Sequence, residues 1–365
     1  MRSNLSIAVV ILNWNGTRLL EKFLPALIEH TPSYVNIIVG DNASTDQSVS
    51  FLKKNFPQVT VLQNEYNYGY AGGYNKILEQ VVADYYILLN SDVEVTAGWV
   101  EPVIDFMESS PEVAACQPKI RSYINKDYFE YAGAAGGFMD RFGYFFCRGR
   151  IFDTLEKDLG QYDDLREIFW ASGAAFFVRA DWFSKAGGFD AQLFAHMEEI
   201  DLCWRLQLLG QKIAYVPFSV VYHIGGGTLS KLSPKKTYLN FRNNLILLYK
   251  NLEEGKRFKI ICTRFFLDFL ALIRFLCLFQ FGHAMAISKA HISFIKGLPL
   301  WKQTRYKAGL LGNHPRHHQL SGYFKGGIVF QFFIHKKSKF SELNQKNIIK
   351  GNFQAPVYKN VIQSL

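Results

Sequence analysis

Residues 6–30, SIAVVILNWNGTRLLEKFLPALIEH, and residues 35–46, VNIIVGDNASTD, decide the fold. Ile7–Leu12 is an unbroken apolar run that stops at Asn13, the pattern of a buried strand. Thr17–His30 then places apolar residues at 19, 20, 23, 24, 27 and 28, which is helical spacing. Val35–Val39 is a second strand-like run, closed by Gly40-Asp41-Asn42. Working outward, Thr45–Asn55 reads as a helix with Ser44 as a candidate N-cap, Val59–Gln63 as a strand and Gly73–Val82 as a helix. Tyr85–Leu89 is a fourth strand, closed by Asn90-Ser91-Asp92. Strand and helix alternate, so the expected fold is α/β with a mostly parallel, doubly wound sheet. Ligands of such sheets bind beyond the carboxyl ends of the strands. Asn13 and Asn15, Asp41 and Asn42, and Asn90 and Asp92 all fall at such ends. Each alone could be a turn former; three strand ends in register with polar side chains point to a site.

The chain has 365 residues, of which 49% are hydrophobic and 20% charged. That composition excludes a disordered chain, and 28 Gly with 11 Pro exclude a collagen-like one. The net charge of +10, with 16% aromatic residues, suggests a membrane surface or nucleic acid as partner. The charge is unevenly spread. Residues 1–230 carry 18 Lys/Arg against 27 Asp/Glu, whereas residues 231–365 carry 23 against 4. The switch falls at Ile224–Lys236, which contains Gly225, Gly226, Gly227 and Pro234, and marks an expected domain boundary. Five cysteines without CxxC spacing predict neither a zinc site nor a disulfide framework, and a reducing compartment. The N-terminal apolar run is too short for a signal peptide, so the chain is expected to start in the cytoplasm.

The segments VVILNWNG (9–16), GDNASTD (40–46), NYGYAGGYN (67–75) and LLNSDVEV (88–95), followed by residues 171–228, resemble glycosyltransferase family 2 in order and spacing. The resemblance covers roughly residues 6–250 and is closest to the rhamnosyltransferase-like subgroup. It implies a GT-A fold and an inverting enzyme that takes sugar from a nucleoside diphosphate. It also implies roles for particular residues. Asn13, Asn15, Asp41 and Asn42 would face the base and ribose. Gly69, Gly72 and Asn75 would line the nucleotide-sugar pocket, with Asn90 and Ser172 beside the donor. Arg242, in Asn240–Asn244, would reach the diphosphate. Asp92 stands at the second acidic position of the family's DxD-type motif, whose first position here is Asn90. With His223 it would hold Mg2+ or Mn2+.

In His196-Met197-Glu198-Glu199-Ile200-Asp201, the resemblance makes Glu199 the general base and Glu198 a group that orients hydroxyls. The competing view is that these acids merely decorate a helix N-terminus. Asp46 and Glu94 read as structural, Asp201 as a cap or a partner of Arg205, and Trp170 equally as sugar platform or core.

Beyond Asn251, Phe258–Phe281 is rich in Phe, Leu and Ile but is interrupted by Arg264, Asp268 and Arg274. It is too charged to span a bilayer and fits an interfacial helix; covering the catalytic domain is the alternative. Arg264 and Asp268 are one turn apart and could pair. Further basic residues (among them Lys302, Lys307, Arg316 and Lys336) accumulate beside Trp301, Tyr306, Phe330 and Phe333, as on a surface that meets anionic lipid. No RNA-binding signature accompanies them, so nucleic acid is not expected. The expected enzyme is a peripheral protein on the inner face of the cell membrane. It would act on a lipid-linked or polysaccharide acceptor in cell-surface glycan synthesis. A sugar nucleotidyltransferase would need a Gly-rich, basic loop where LNWNGTRLL stands. A non-catalytic scaffold is opposed by the intact acids.

Overall fold

A computed structural model describes residues 5–225, 233–309 and 319–351; for 306–309 it describes the backbone alone. Gly226 and Gly227 of the composition switch, Arg316, and the side chains of Tyr306 and Lys307 lie outside the described residues.

Strands β1 (Ile7–Asn13), β2 (Val35–Asp41), β3 (Thr60–Gln63) and β4 (Tyr85–Leu89) form the parallel half of the main sheet, in the order β3-β2-β1-β4. Each connection is a helix: α1 (Thr17–His30), α2 (Ser48–Asn55) and α3 (Gly69–Leu78). The α1 periodicity has its expected outcome, because Leu20, Leu24 and Leu27 are buried in the core under the sheet and Phe23 is buried against Tyr123. Full burial of each such side chain contributes about 1.5–3 kcal/mol. The helix ends at Thr31, ahead of Pro32, which cannot continue a helical ladder. Register aligns Asn13 with Asp41 and Ile11 with Leu89, so the polar strand ends share one edge of the sheet.

Two local expectations shift. α2 starts at Ser48, and Ser44 does not cap it; the Ser44 hydroxyl instead accepts hydrogen bonds from the Asn15 amide (2.8 Å) and from Asn13 Nδ2 (3.2 Å). Asp46 joins the two helix starts, accepting from Thr17 and Ser48. α3 begins at Gly69, four residues before the expected Gly73. Gly69 supplies the positive φ of 73° that opens the helix.

Beyond β4 the sheet becomes mixed. After β5 (Val93–Val95) and α4 (Glu101–Ser109) comes β6 (Val113–Ser122). A second, smaller sheet contains β7 (Gly137–Asp140), β8 (Phe145–Cys147), β9 (Arg150–Ile151) and β10 (Thr154–Leu155). β11 (Arg166–Glu167), β12 (Ala175–Arg179) and, after α5 (Ala180–Lys185) and α6 (Glu198–Leu208), β13 (Lys212–His223) return to the main sheet. β12 runs antiparallel to β4, and β13 runs parallel to β6. One hydrophobic core fills each side of this sheet.

The C-terminal region is largely helical: α7 (Pro234–Asn251), α8 (Glu254–Cys277), α9 (Phe281–Lys296) and α10 (Leu298–Gly309). It ends with β14 (Tyr323–Phe324), which pairs with β7, and α11 (Ile328–Phe333). Leu245–Leu248, Phe294, Phe324 and Phe340 enter the same core as Phe138 and Phe176. The composition switch is therefore not a break in packing. The Lys250 ammonium is buried and meets Asp201 at 3.2 Å, and Asp201 also pairs with Arg205 at 2.9 Å. Burial alone would raise the Asp201 pKa, but Lys250 and Arg205 lower it to about 2. Arg264 and Asp268 pair at 3.1 Å, as their spacing suggested. Among the described residues no helix is long and apolar enough to cross a membrane.

Candidate active site

A cavity of about 480 Å³ opens at the carboxyl edge of the parallel strands. Its size is ordinary for a small-ligand site. Leu12–Gly16 from the end of β1, Asn42 after β2 and Asn90–Asp92 after β4 form one wall. Leu19, Asn67, Gly69, Tyr70, Glu130–Ala132, Ser172–Ala174, Phe194–His196 with Glu198 and Glu199, His223, Gly225, and Lys235 with Lys236 complete it.

Asp92 reaches His223 through strand pairing. β5 runs antiparallel to β13 with Val93 opposite His223, and the Ile224 amide donates to the Asp92 carbonyl. The Asp92 Oδ1 and His223 Nε2 atoms lie 3.1 Å apart, both residues being buried. Two neighbouring ligands at right angles around an octahedral cation, each bonded at about 2.0–2.1 Å, are separated by about 3 Å. These two atoms share a hydrogen bond, and the pair would suit a divalent cation once Nε2 gives up its proton. Among the described residues no group of three or more His, Cys, Asp or Glu forms a metal cage. A cation held here would complete its shell with phosphate oxygens and water, the usual habit of Mg2+. On the other side of the imidazole, Nδ1 faces Glu130 Oε2 at 3.2 Å. Burial disfavours the charged ring, but the carboxylates of Glu130 and Asp92 outweigh it and raise the His223 pKa to about 10.

The acid pair opens α6. The turn before it is strained: Phe194, His196 and Met197 all have positive φ (66°, 68° and 75°), a region that non-glycine residues rarely adopt. The Phe194 carbonyl accepts from the Tyr70 amide at 2.7 Å. A Cβ at position 69 would come within 2.5 Å of the Phe194 ring, so Gly69 is required by space as well as by φ. From α7, Asn243 Nδ2 donates to the carbonyls of Leu193 (3.0 Å), Ala195 (3.0 Å) and His196 (2.7 Å).

Glu198 and Glu199 both line the cavity, and each has one buried carboxylate oxygen without a hydrogen-bond partner. Burial raises both pKa values, and the negative charge of Glu199 raises that of Glu198 further. Backbone N–H groups, that of Gly173 among them, partly offset the shift at Glu199. Glu198 is therefore the better proton holder and Glu199 the better carboxylate.

Asn13, Asn15, Asn42, Gly69, Asn90, Asp92, Ser172, Glu198, Glu199 and His223 thus meet at one cavity. Asp41, Gly72, Asn75 and Arg242 do not line it, and each is occupied elsewhere. Asp41 is buried behind Asn13, accepting from its Nδ2 at 3.0 Å and from the Ser44 amide at 2.9 Å. It positions Asn13 rather than facing the cavity. Gly72 lies on α3, where a Cβ would stand 3.1 Å from that of Tyr68. Asn75 exchanges two hydrogen bonds with the Phe189 backbone, at 2.8 and 3.0 Å. Arg242 donates to the Leu193 carbonyl at 3.0 Å and to Asn243 Oδ1 at 2.9 Å, so its guanidinium braces the α7 contact.

Trp170 is core, its indole N–H donating to the Phe138 carbonyl. Glu94 pairs with Lys126 away from the cavity. Glu130, Asn243, His196 and Tyr70 were missed. His196 is half-buried, and its pKa falls to about 4, first through desolvation and then through Lys236. Tyr70 donates to the Gly173 carbonyl at 3.0 Å, joining α3 to the Ser172–Ala174 wall.

Residues 8–184 match the model of glycosyl transferase family 2. N-acetylglucosaminyl-diphospho-decaprenol L-rhamnosyltransferase of Mycobacterium tuberculosis is 28% identical over 235 residues, 60% of this chain and 75% of the relative. The crystal structure of GalNAc-T7 with UDP, GalNAc and Mn2+ superposes with a TM-score of 0.55 at 19% identity, over 70% of this chain and 49% of that one. S. aureus TarS in complex with UDP-GlcNAc gives 0.53 at 14% identity, over 84% and 88%. These two likenesses concern the fold. Residues 8–184 are therefore a glycosyltransferase family 2 domain, and the chain is a glycosyltransferase of GT-A fold.

Proposed function

We propose that this glycosyltransferase transfers a sugar, with inversion, from a nucleoside diphosphate to a lipid-linked or polysaccharide acceptor in cell-surface glycan synthesis. One observation carries the reading: the acid pair Glu198–Glu199 and the Asp92–His223 pair open onto the same cavity. The similarity to the mycobacterial rhamnosyltransferase, whose name specifies a decaprenol-diphosphate acceptor, favours the lipid-linked class.

In this reading Asn13 and Asn15 face the base and ribose, with Asp41 orienting Asn13. Asp92 and His223 hold Mg2+ or Mn2+, which when bound neutralises negative charge on the departing diphosphate. Glu199 accepts the proton of the acceptor hydroxyl as its oxygen attacks the anomeric carbon. The bond from that carbon to the phosphate oxygen breaks on the opposite face, which inverts the configuration. Glu198, holding its proton, donates a hydrogen bond to a sugar hydroxyl. Lys235 and Lys236 on the cavity wall add positive charge that favours the diphosphate. The acceptor class and the basic C-terminal region favour a peripheral position on the inner face of the cell membrane, against anionic lipid.

The test is a panel of nucleotide sugars with Mn2+ or Mg2+, read first by thermal shift and then by turnover. A donor at a hundred times its Kd stabilises the native state by about 2.7 kcal/mol. Absence of both binding and turnover across the panel defeats the proposal.

A further inference from the structure

α8 is turned inside out relative to a helix of a water-soluble protein. Its buried residues are Arg264, Leu267 and Asp268. Arg264 is 3% exposed and Asp268 fully buried. The charges are turned inward: Asp268 pairs with Arg264 Nη2, accepts from His291 Nε2 at 3.2 Å, and faces the Tyr144 hydroxyl at 3.5 Å, while Arg264 Nε and Nη1 are buried without a hydrogen-bond partner. The Arg264 guanidinium also stacks on the Tyr144 ring. The outward face carries Phe258, Phe266, Phe269, Leu270, Ile273 and Leu276, with Phe258 81% exposed. Phe266 to Leu276 recur at three and four residues, and Phe258 lies about two turns before Phe266 on the same side, so the six make one stripe about 27 Å long at 1.5 Å per residue.

The stripe continues past the helix. Leu278, Phe279 and Phe281 are exposed at the turn into α9, Phe279 at 80%. At its other margin the Arg274 guanidinium lies 5.8 Å from the Phe333 ring, joining it to the exposed Phe330, Phe333 and Ile334 of the α11 segment. Apolar surface as continuous as this marks an interaction site rather than ordinary scatter.

Charge selects the partner. Lys259 and Arg274 on α8, Lys289 and Lys296 on α9, and Lys336 just after α11 are all exposed, and Arg274 stands at the margin of the stripe beside Phe333. Among the described residues of α8 and α9, Glu254 is the one exposed acid. An apolar face rimmed by basic side chains matches the boundary between acyl chains and anionic headgroups. Charges turned inward and apolar groups outward are what that boundary requires.

We propose that the α8 stripe, with the turn at Leu278–Phe281, is the face that lies in the membrane surface, and that its ligand is an anionic bilayer. This deepens the membrane partner proposed above and rests on that reading, but not on the assignment of any catalytic residue. α8 lies in the interfacial plane with its apolar face among the acyl chains, and the basic rim contacts headgroups.

The test is sedimentation of the full chain with vesicles of phosphatidylglycerol and phosphatidylethanolamine, and with phosphatidylcholine alone. The chain is expected to bind the anionic vesicles. Phe266→Asp/Phe269→Asp/Ile273→Asp should weaken this by about tenfold or more, and Lys259→Glu/Lys289→Glu/Lys296→Glu similarly on anionic vesicles only. Phe258→Asp, at a position too exposed to perturb the fold, should weaken it measurably with an unchanged melting temperature. The inference is overturned if these variants bind as the parent does. It is equally overturned if the parent ignores vesicles, or forms a lipid-independent dimer that the apolar variants dissociate. Hydrolysis of a nucleotide sugar in vesicle-free buffer separates the two readings. Hydrolysis without vesicle binding removes the docking face alone, whereas vesicle binding without hydrolysis by any donor supports the face and removes the catalytic proposal.

Discussion

The Glu130 carboxylate stands 3.2 Å from Nδ1 of His223, across the ring from the Asp92 oxygen at Nε2. A carboxylate behind an imidazole fixes the orientation of the ring and the nitrogen that it presents. Glu130 is therefore expected to position the proposed cation ligand His223. Glu130→Ala should weaken Mn2+ binding by roughly 10–100-fold, with Glu130→Gln in between. Titration of free Mn2+ by electron paramagnetic resonance, with nucleoside diphosphate present, reads this without catalysis. An unchanged affinity in the alanine variant would exclude the role.

Asp92→Ala should abolish both donor hydrolysis and transfer, since Asp92 is the carboxylate of the proposed cation pair. Glu199→Gln should keep donor affinity and lose transfer. If Glu198→Gln is instead the dead variant with normal donor binding, the base is the other member of the pair.

Glu198 makes a prediction about stability. Its folded-state pKa lies above the ordinary 4.5 because of burial and the neighbouring Glu199 charge. Above pH 4.5 the unfolded chain releases this proton more readily than the folded one, so ionisation of Glu198 opposes folding as pH rises. Glu198→Gln removes that penalty. It should raise the melting temperature at pH 8, with a gain that shrinks towards pH 4.5. Melting curves across this range test the point, and a gain independent of pH would contradict it.

Asn243 binds three carbonyls of the strained turn before Glu198. Residues held at unfavourable φ cost of order 1–3 kcal/mol each, and they persist only where surrounding contacts hold them. Asn243→Ala should lower kcat by roughly tenfold or more, with little change in donor affinity, because the turn sets the acids and not the base pocket. A normal kcat, or a loss confined to donor binding, would speak against this role.

Lys250→Ala leaves Asp201 and Asp190 without their shared cation. Breaking a buried ion pair from one side costs about 3–5 kcal/mol. Urea denaturation should show a loss of that order. The Asp201 pKa of about 2 adds a pH signature. The stability it contributes is present above the unfolded value of 3.8, is lost as pH falls towards 2, and amounts to about 2 kcal/mol.

Much of this architecture could be read from local pattern. α1 and β4 appear with the bounds that periodicity predicted, because each has a one-sided or fully buried apolar pattern within a single segment. The start of α3 was misplaced because Gly-rich sequence carries no periodic signal. Asp92, His223, Glu198 and Glu199 stood out as motif residues at strand or helix ends. Asp41, Asn75 and Arg242 stood out equally, yet each spends its polar atoms on neighbouring protein groups. Residue type does not reveal which partner a polar group will find. Glu130 was invisible for a related reason. It reaches His223 only because β6 and β13 lie side by side, with Ser122 beside His223 and the Glu130 amide bonded to Ile120.

β14 pairs with β7, and Lys250 closes the charge balance of α6 from behind. The C-terminal region is consequently not a cassette. Were it trimmed away to make a smaller catalytic unit, Asp201 would be left buried without Lys250, and β7 would gain a raw edge. For the same reason this tail could not be exchanged freely between relatives. Its inner surface must be inherited with the domain it completes.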